Sequence, residues 1–227
     1  MHLLTPLLIA ALYGFIMWWF SAWRSAKALD ANSTPLRDAQ LAPFTSKMAD
    51  ALDVAHIPVH IYEVEPINGL AAPDGRIFIT RGFYNKYREG EVSAQEISSV
   101  IAHELGHVAL GHARRRMIDF SGQNALRVGL TMALSRLIPG IGVLIAQVLT
   151  RMMAAGLSRS DEYEADAYAT ALLIKSGIGA GPQISLFHKL DMLAGARGGV
   201  TAAWLMSHPK TPDRIKAIEA NAAKWAG

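Results

Sequence analysis

The chain has 227 residues, enough for one domain with a substantial core. Hydrophobic residues make up 51% and charged residues only 18%, which is apolar for a soluble protein and points to a membrane segment. A net charge of +3, with no basic strip interleaved with aromatics, excludes a nucleic-acid partner, and the absence of cysteine excludes disulfides, thiolate zinc ligands and a cysteine nucleophile.

Leu3 to Trp23 carries no charge and is about the length that spans a bilayer as a helix. Trp18, Trp19 and Trp23 gather toward one end, as interfacial aromatics do. Ala26-Lys27-Ala28 only loosely resembles a cleavage site, and the start lacks the basic residues of a signal peptide, so an uncleaved anchor over residues 1–30 is expected. Arg24 and Lys27 follow the span, and the positive-inside rule puts the remainder in the cytoplasm.

Residues 31–227 are expected to form the second domain. Ala31 to Pro35 reads as a polar link, and Leu41, Phe44, Met48, Leu52 and Ala55 mark an amphipathic helix. Val59 to Val64 and Arg76 to Thr80 are rich in β-formers, with turns at Asn68-Gly69 and Asp74-Gly75. A small antiparallel sheet follows, and its Arg76–Thr80 edge, including Ile77 and Ile79, could accept a peptide as an added strand.

Ser93 to Arg116 reads as a helix. Ser93 and Glu96 form a capping box, and Ile97, Ile101, Leu105 and Val108 make an apolar stripe. Arg114, Arg115 and Arg116 suit its C-terminal end. His103 and His107 lie four apart, one turn above the other, so two imidazoles can grip one metal ion. Glu104 is offset by about a quarter turn and can border the metal without binding it. This is H-E-x-x-H, in which the Glu takes a proton from water activated by the metal.

Leu126 to Leu157 is apolar, but Arg136 lies within it and Pro139-Gly140 should break it. The pieces, about Asn124 to Leu137 and Ile141 to Leu157, are short for spans, so residues 124–157 are expected to form a helical hairpin packed on the domain or dipping into the membrane surface. Ser158 to Lys175 is a helix with acidic first turns, stopped by Gly177. Gly181-Pro182 opens another, with Leu186, Phe187, Leu190 and Leu193, and Gly195 to Gly199 is a loop. Thr211-Pro212 starts the last helix, with Ile215 and Ile218 on its buried side.

A catalytic zinc keeps three protein ligands and an open position. His112 is the nearest candidate for the third, but on a continuous helix it is rotated about 180° from His103 and points with the apolar stripe. The metzincin pattern would need histidine at position 113, which is Ala113. The acidic helix is the better source. Glu162 and Asp166 share one face, flanked by Ala165 and Ala169, which are small enough for close helix approach; Glu164 points nearly opposite. Glu162 is assigned as zinc ligand and Asp166 as the carboxylate that holds a ligand histidine's other N–H.

These residues resemble a known family: the gluzincin metallopeptidases that include the bacterial membrane protease HtpX, the CAAX prenyl protease and the mitochondrial inner-membrane protease of the Oma type. Three signatures carry the resemblance. They are His103-Glu104-Leu105-Gly106-His107, then Ser158-Arg159-x-x-Glu162-x-x-Ala165-Asp166, then His208-Pro209-x-x-x-x-Arg214. Asn68-Gly69-Leu70-Ala71 loosely echoes the family's N-A-x-A edge strand, which marks Asn68 and Ala71 as substrate-binding.

The resemblance implies an α+β, mainly α, zinc peptidase fold and a zinc-dependent endopeptidase with one zinc ion per chain. Its substrates would be membrane-associated or misfolded proteins, at a bacterial inner membrane. It also implies a role for His208 in holding the substrate carbonyl or the tetrahedral intermediate, supported by Arg214. The chain departs from HtpX and the prenyl protease in having one clear span. The alternative is a membrane-tethered adaptor that binds zinc without catalysis, but such a protein has no need of Glu104.

Overall fold

The computed structural model describes residues 12, 15–16, 19–20, 23–24, 26–72, 74–112, 130–131, 134–138, 141–196, 208 and 212–225. They divide into two compact units. One comprises Met1–Asn32 and Arg114–Leu157, the other Ser33–Ala113 and Ser158–Gly227.

The second unit contains four short strands: β1 (Ser33–Pro35), β2 (Val59–Tyr62), β3 (Gly69–Ala71) and β4 (Ile77–Thr80). Their order is β1-β2-β4-β3. The outer pairs are antiparallel, but β2 and β4 are parallel, with Val59 opposite Ile77 and Tyr62 opposite Thr80. The sheet is therefore mixed, which corrects the expected antiparallel one. The cause is β3. The chain leaves β2, lays β3 on the far side of β4, and returns along β4 in the direction of β2.

Three local readings change with it. Asn68-Gly69 is not a free turn but the entry to β3: the Asn68 carbonyl accepts from the Thr80 N–H at 3.0 Å, and the Asn68 N–H donates to the Thr80 hydroxyl at 2.9 Å. Ser33–Pro35, read as a link, is β1. The Arg76–Thr80 segment is not an edge, because β4 is paired on both sides. Ile77 and Ile79 are fully buried core residues. The outer strand on this side is β3. Asn68 and Ala72 bond across to β4, so by antiparallel alternation the backbone groups of Gly69 and Ala71 turn outward. The Asn68 side chain accepts the Gly69 N–H at 3.1 Å, which leaves Ala71 as the residue presented along that edge.

Helix α1 (Ala42–Ala51) buries Met48 and Ala49; Leu41 precedes it in the core, while Ala55 lies beyond its end and is exposed. Helix α2 (Arg81–Arg88) was not expected from the sequence. The Thr80 hydroxyl caps it by accepting the Phe83 N–H, and Phe83 and Tyr87 pack inward.

Helix α3 (Ala94–Ala109) begins as read. Ser93 Oγ accepts the Glu96 N–H at 3.2 Å, and the Glu96 carboxylate accepts the Ser93 N–H at 2.7 Å. It stops at Ala109 rather than continuing to Arg116, because Gly111 turns the chain at φ +68°; Arg114, Arg115 and Arg116 lie outside the described residues. Ile97, Val100, Ile101 and Leu105 join one core cluster with Met48, Ile77, Ile79, Phe83, Leu173 and Leu190. Helix α3 thus packs against β3, β4, α1 and the later helix α5 (Gly181–Ala196). Helix α6 (Pro212–Trp225) buries Arg214 and Ile218.

Helix α4 (Gly142–Lys175) runs unbroken through Ser158, which corrects the expected separation at that point. The break before it is real. Residues 134–137 are helical, Ile138 is not, and α4 opens only at Gly142, where a Cβ would meet the Leu134 carbonyl at 2.4 Å. Most of Asn124 to Leu137 lies outside the described residues, as does most of Leu3 to Trp23. Among the described residues no helix is long and apolar enough to cross a membrane.

The approach of α3 to the C-terminal half of α4 is set by small residues. A Cβ on Gly106 would lie 3.0 Å from both the Cα and the carbonyl oxygen of Ala165, and Ala165 and Ala169 are fully buried. Gly106→Ala should therefore lower stability by about 1–3 kcal/mol, the usual cost of overpacking. Thermal melts of the two proteins check this, and an unchanged melting temperature would contradict the close contact.

Candidate metal centre

Helix α3 stacks His103 and His107 on one face, and both are buried. Their Nε2 atoms are 3.1 Å apart. Helix α4 supplies Glu162 from the facing row: Oε2 lies 3.4 Å from His103 Nε2, and Oε1 lies 3.5 Å from His107 Nε2. A fourth ring joins them. His208 Nδ1 lies 3.3 Å from His103 Nε2 and 2.9 Å from Glu162 Oε2. One ligand atom from each of the four residues falls within 4.8 Å of all the others.

The donor set fits zinc. Ligand bonds of about 2.0–2.1 Å in a tetrahedron place donors about 3.3 Å apart; five of the six donor pairs approach to 2.9–3.5 Å, counting either Glu162 oxygen, and the sixth, His107 with His208, lies within 4.8 Å. Imidazole nitrogens and one carboxylate are the ligand types zinc accepts in the absence of thiolates.

Behind the donors lies a second row of buried charge. Asp166 Oδ1 is 3.0 Å from His103 Nδ1, which leaves Nε2 for the metal. Arg214 grips Asp166 with two bonds of 2.6 and 2.9 Å, reaches Glu162 at 3.2 Å, and lies over the Phe187 ring. Burial opposes the ionised form of Asp166, but the bonds from Arg214 and His103 outweigh it and hold its pKa below the usual value. Glu162 is likewise held well below the carboxylate range: burial raises it, and the three histidines more than reverse this. For His103 burial works downward, yet hydrogen bonds to Asp166 and Glu162 raise its pKa to about 9. His107 is lowered, chiefly by burial.

Glu104 does not join the donors. It is 1% exposed, its Oε1 has no hydrogen-bond partner among the described residues, and His208 Nε2 lies 3.4 Å from it. A buried carboxylate oxygen thus faces the cluster with its acceptor capacity unspent.

Most sequence-predicted site residues therefore meet: His103, Glu104, His107, Glu162, Asp166, His208 and Arg214. His208 stands closer to the donors than the resemblance implied. Asn68 and Ala71 belong to the β3 edge, and Ile77 and Ile79 to the core. His112 was misplaced by the helical wheel. It is fully buried, and its Nδ1 lies 2.9 Å from His107 Nδ1. The wheel assumed a continuous helix, whereas Gly111 turns the chain back; a glycine directly before His112 was the available signal.

A family model described as Peptidase family M48 matches residues 35–222. This chain belongs to that family. Among M48-related sequences, the Metalloprotease LoiP of Escherichia coli (strain K12) is 27% identical over 79% of this chain and 68% of its own length. The Metalloprotease YcaL of the same organism is 27% identical over 79% of this chain and 67% of its own. A Protease HtpX homolog of Bordetella avium (strain 197N) is 27% identical over 86% and 75%. The protein is an M48 zinc metalloendopeptidase, and the buried His103, His107, Glu162 and His208 group is where an M48 chain of this sequence can hold the ion.

The raised pKa of His103 makes metal binding a competition with a proton. Below about pH 9 the metal-free ring carries two protons, and a ligand must be neutral. Zinc affinity should rise about tenfold per pH unit from about pH 6 to about pH 9 and then level off. Competition with a chromogenic chelator across that range measures it. A flat profile would show that His103 is already neutral.

Proposed function

We propose that this M48 chain hydrolyses peptide bonds with Glu104 as general base, on a substrate strand laid along the outer edge of β3. The buried Glu104 Oε1 beside the donor cluster, without a hydrogen-bond partner among the described residues, is the observation that supports this most. Zinc, when bound, supplies Lewis acidity that activates a water and polarises the scissile carbonyl. Glu104 takes the proton as water attacks, and passes it to the leaving amine. A catalytic zinc keeps one position open; His208, whose Nδ1 lies 3.3 Å from His103 Nε2 and 2.9 Å from Glu162 Oε2, would then hold the substrate carbonyl oxygen rather than close the site. Arg214, six residues on, bonds Asp166. Ala71 offers its backbone N–H and C=O to an extended peptide, with Asn68 fixing the strand's entry.

Glu104→Gln is the direct test. It should keep zinc and lose about 10²–10⁴-fold in cleavage of casein or a peptide library. A wild type that binds zinc yet cleaves no peptide would overturn the protease chemistry, and full activity in Glu104→Gln would remove the base.

Residues 1–30 are proposed to anchor the chain in a membrane, a bacterial inner membrane, as a single pass. Phe15, Ile16, Trp19, Phe20 and Trp23 are exposed on described helical residues, and so are Ile141, Val143, Leu144 and Val148 at the 124–157 segment. The latter are proposed to touch lipid or cover the cleft as a lid. Membrane-associated or misfolded proteins are then the natural substrates. The chain should resist alkaline carbonate extraction, and a reporter fused after Gly227 should report the cytoplasm; release into the supernatant would overturn the anchor.

A further inference from the structure

His103 and His107 are supported differently. Behind His103 stands a carboxylate, Asp166. Behind His107 stands another histidine. His112 is fully buried, two positions past the C-cap Leu110 of α3, and Gly111 at φ +68° swings it back against the helix end. Its Nδ1 is 2.9 Å from His107 Nδ1. On its other side, His112 Nε2 is 3.2 Å from Glu164 Oε2 and 3.8 Å from Asp161 Oδ1.

These distances admit one proton arrangement that serves a metal. Two Nδ1 atoms at hydrogen-bond distance need one donor and one acceptor. An ionised carboxylate only accepts, so His112 carries its proton on Nε2 and donates it to Glu164. With the proton on Nε2, His112 Nδ1 offers the lone pair that accepts the His107 Nδ1–H. His107 is left with its lone pair on Nε2, the atom that faces His103 and Glu162. That is the tautomer a metal ligand must adopt.

We infer that His112 is a positioning residue: oriented by Glu164, it fixes the tautomer and ring angle of His107 for zinc. The chain of bonds starts at Glu164, whose side chain is 46% exposed, and ends at a buried ligand. Helix α4 thereby supports both histidines, His103 through Asp166 and His107 through Glu164 and His112. A ring that merely filled space at position 112 would need neither nitrogen aligned.

The inference rests on His107 being a zinc ligand, and the experiment separates the two. Zinc affinity of the detergent-solubilised full chain is measured by chelator competition for wild type, His112→Phe, His112→Asn, Glu164→Ala and His107→Ala. His112→Phe keeps the volume of a ring but no acceptor, and should weaken zinc about 10–100-fold. His112→Asn places an amide oxygen near the lost Nδ1 and should recover most of that loss. Glu164→Ala should weaken zinc several-fold, and it serves even if His112→Phe fails to fold, because the Glu164 side chain is partly exposed. Histidine ¹⁵N spectra of the zinc-loaded wild type should show His107 protonated at Nδ1 and His112 at Nε2.

Native affinity in a folded His112→Phe or in Glu164→Ala, an Asn variant no better than Phe, or a His112 proton on Nδ1 would overturn the inference. Loss of affinity in His107→Ala alone would overturn it while sparing the metal site. No loss in His107→Ala would remove the metal site itself.

Discussion

The site depends on how closely two helices approach. His103 and His107 form a four-residue row on α3, and Glu162 and Asp166 form a matching row on α4. A carboxylate side chain is short, so Glu162 reaches both Nε2 atoms only if the backbones nearly touch. Gly106 against Ala165, with Ala169 one turn on, permits that contact. The same spacing sets Asp166 opposite His103 Nδ1 at 3.0 Å. One geometric condition thus supplies a ligand and the group that orients another ligand, and larger residues at either small position would separate both pairs together.

Burying so much charge requires compensation. Glu104, Glu162 and Asp166 are each about 1% exposed, and Arg214 is equally buried. Around the donors three buried carboxylates face one guanidinium, an imbalance that a divalent cation offsets. Arg214 is suited to its place because its fork makes two bonds to Asp166 and a third contact to Glu162 while the guanidinium stacks on Phe187.

Local signals in the sequence were reliable where local physics decides. The Ser93–Glu96 capping box, the stripe through Ile97, Ile101 and Leu105, and the facing pairs at 103/107 and 162/166 all follow from helix geometry and stand in the structure. The sheet was harder to read. Whether β4 pairs with β2 in parallel depends on where β3 goes, and three-residue strands such as Ser33–Pro35 bury too little to leave a pattern. The misreadings at Ser158 and His112 share a cause. A run of acidic residues was taken as the first turns of a new helix within an unbroken one, and a helical wheel was carried past a glycine that ends one. In both cases the periodicity was right and its limits were wrong.

A small metallodomain that is unfolded without its ion has no other way to join its ligands. Here the ligands on the two helices come from elements already held elsewhere: α3 by the core beneath it, and α4 by Leu172 and Leu173 in the same cluster. The site also carries its own substitute for the ion. With no metal present, His103 takes a proton, since the bonds to Asp166 and Glu162 raise its pKa to about 9, and part of the missing positive charge returns to the same place. Metal loss then exchanges one cation for another within an assembled site, rather than exposing unpaired carboxylates in a core. The interaction that makes His103 hold a proton is the one that aims it at zinc, so the fold and the metal site share a single constraint.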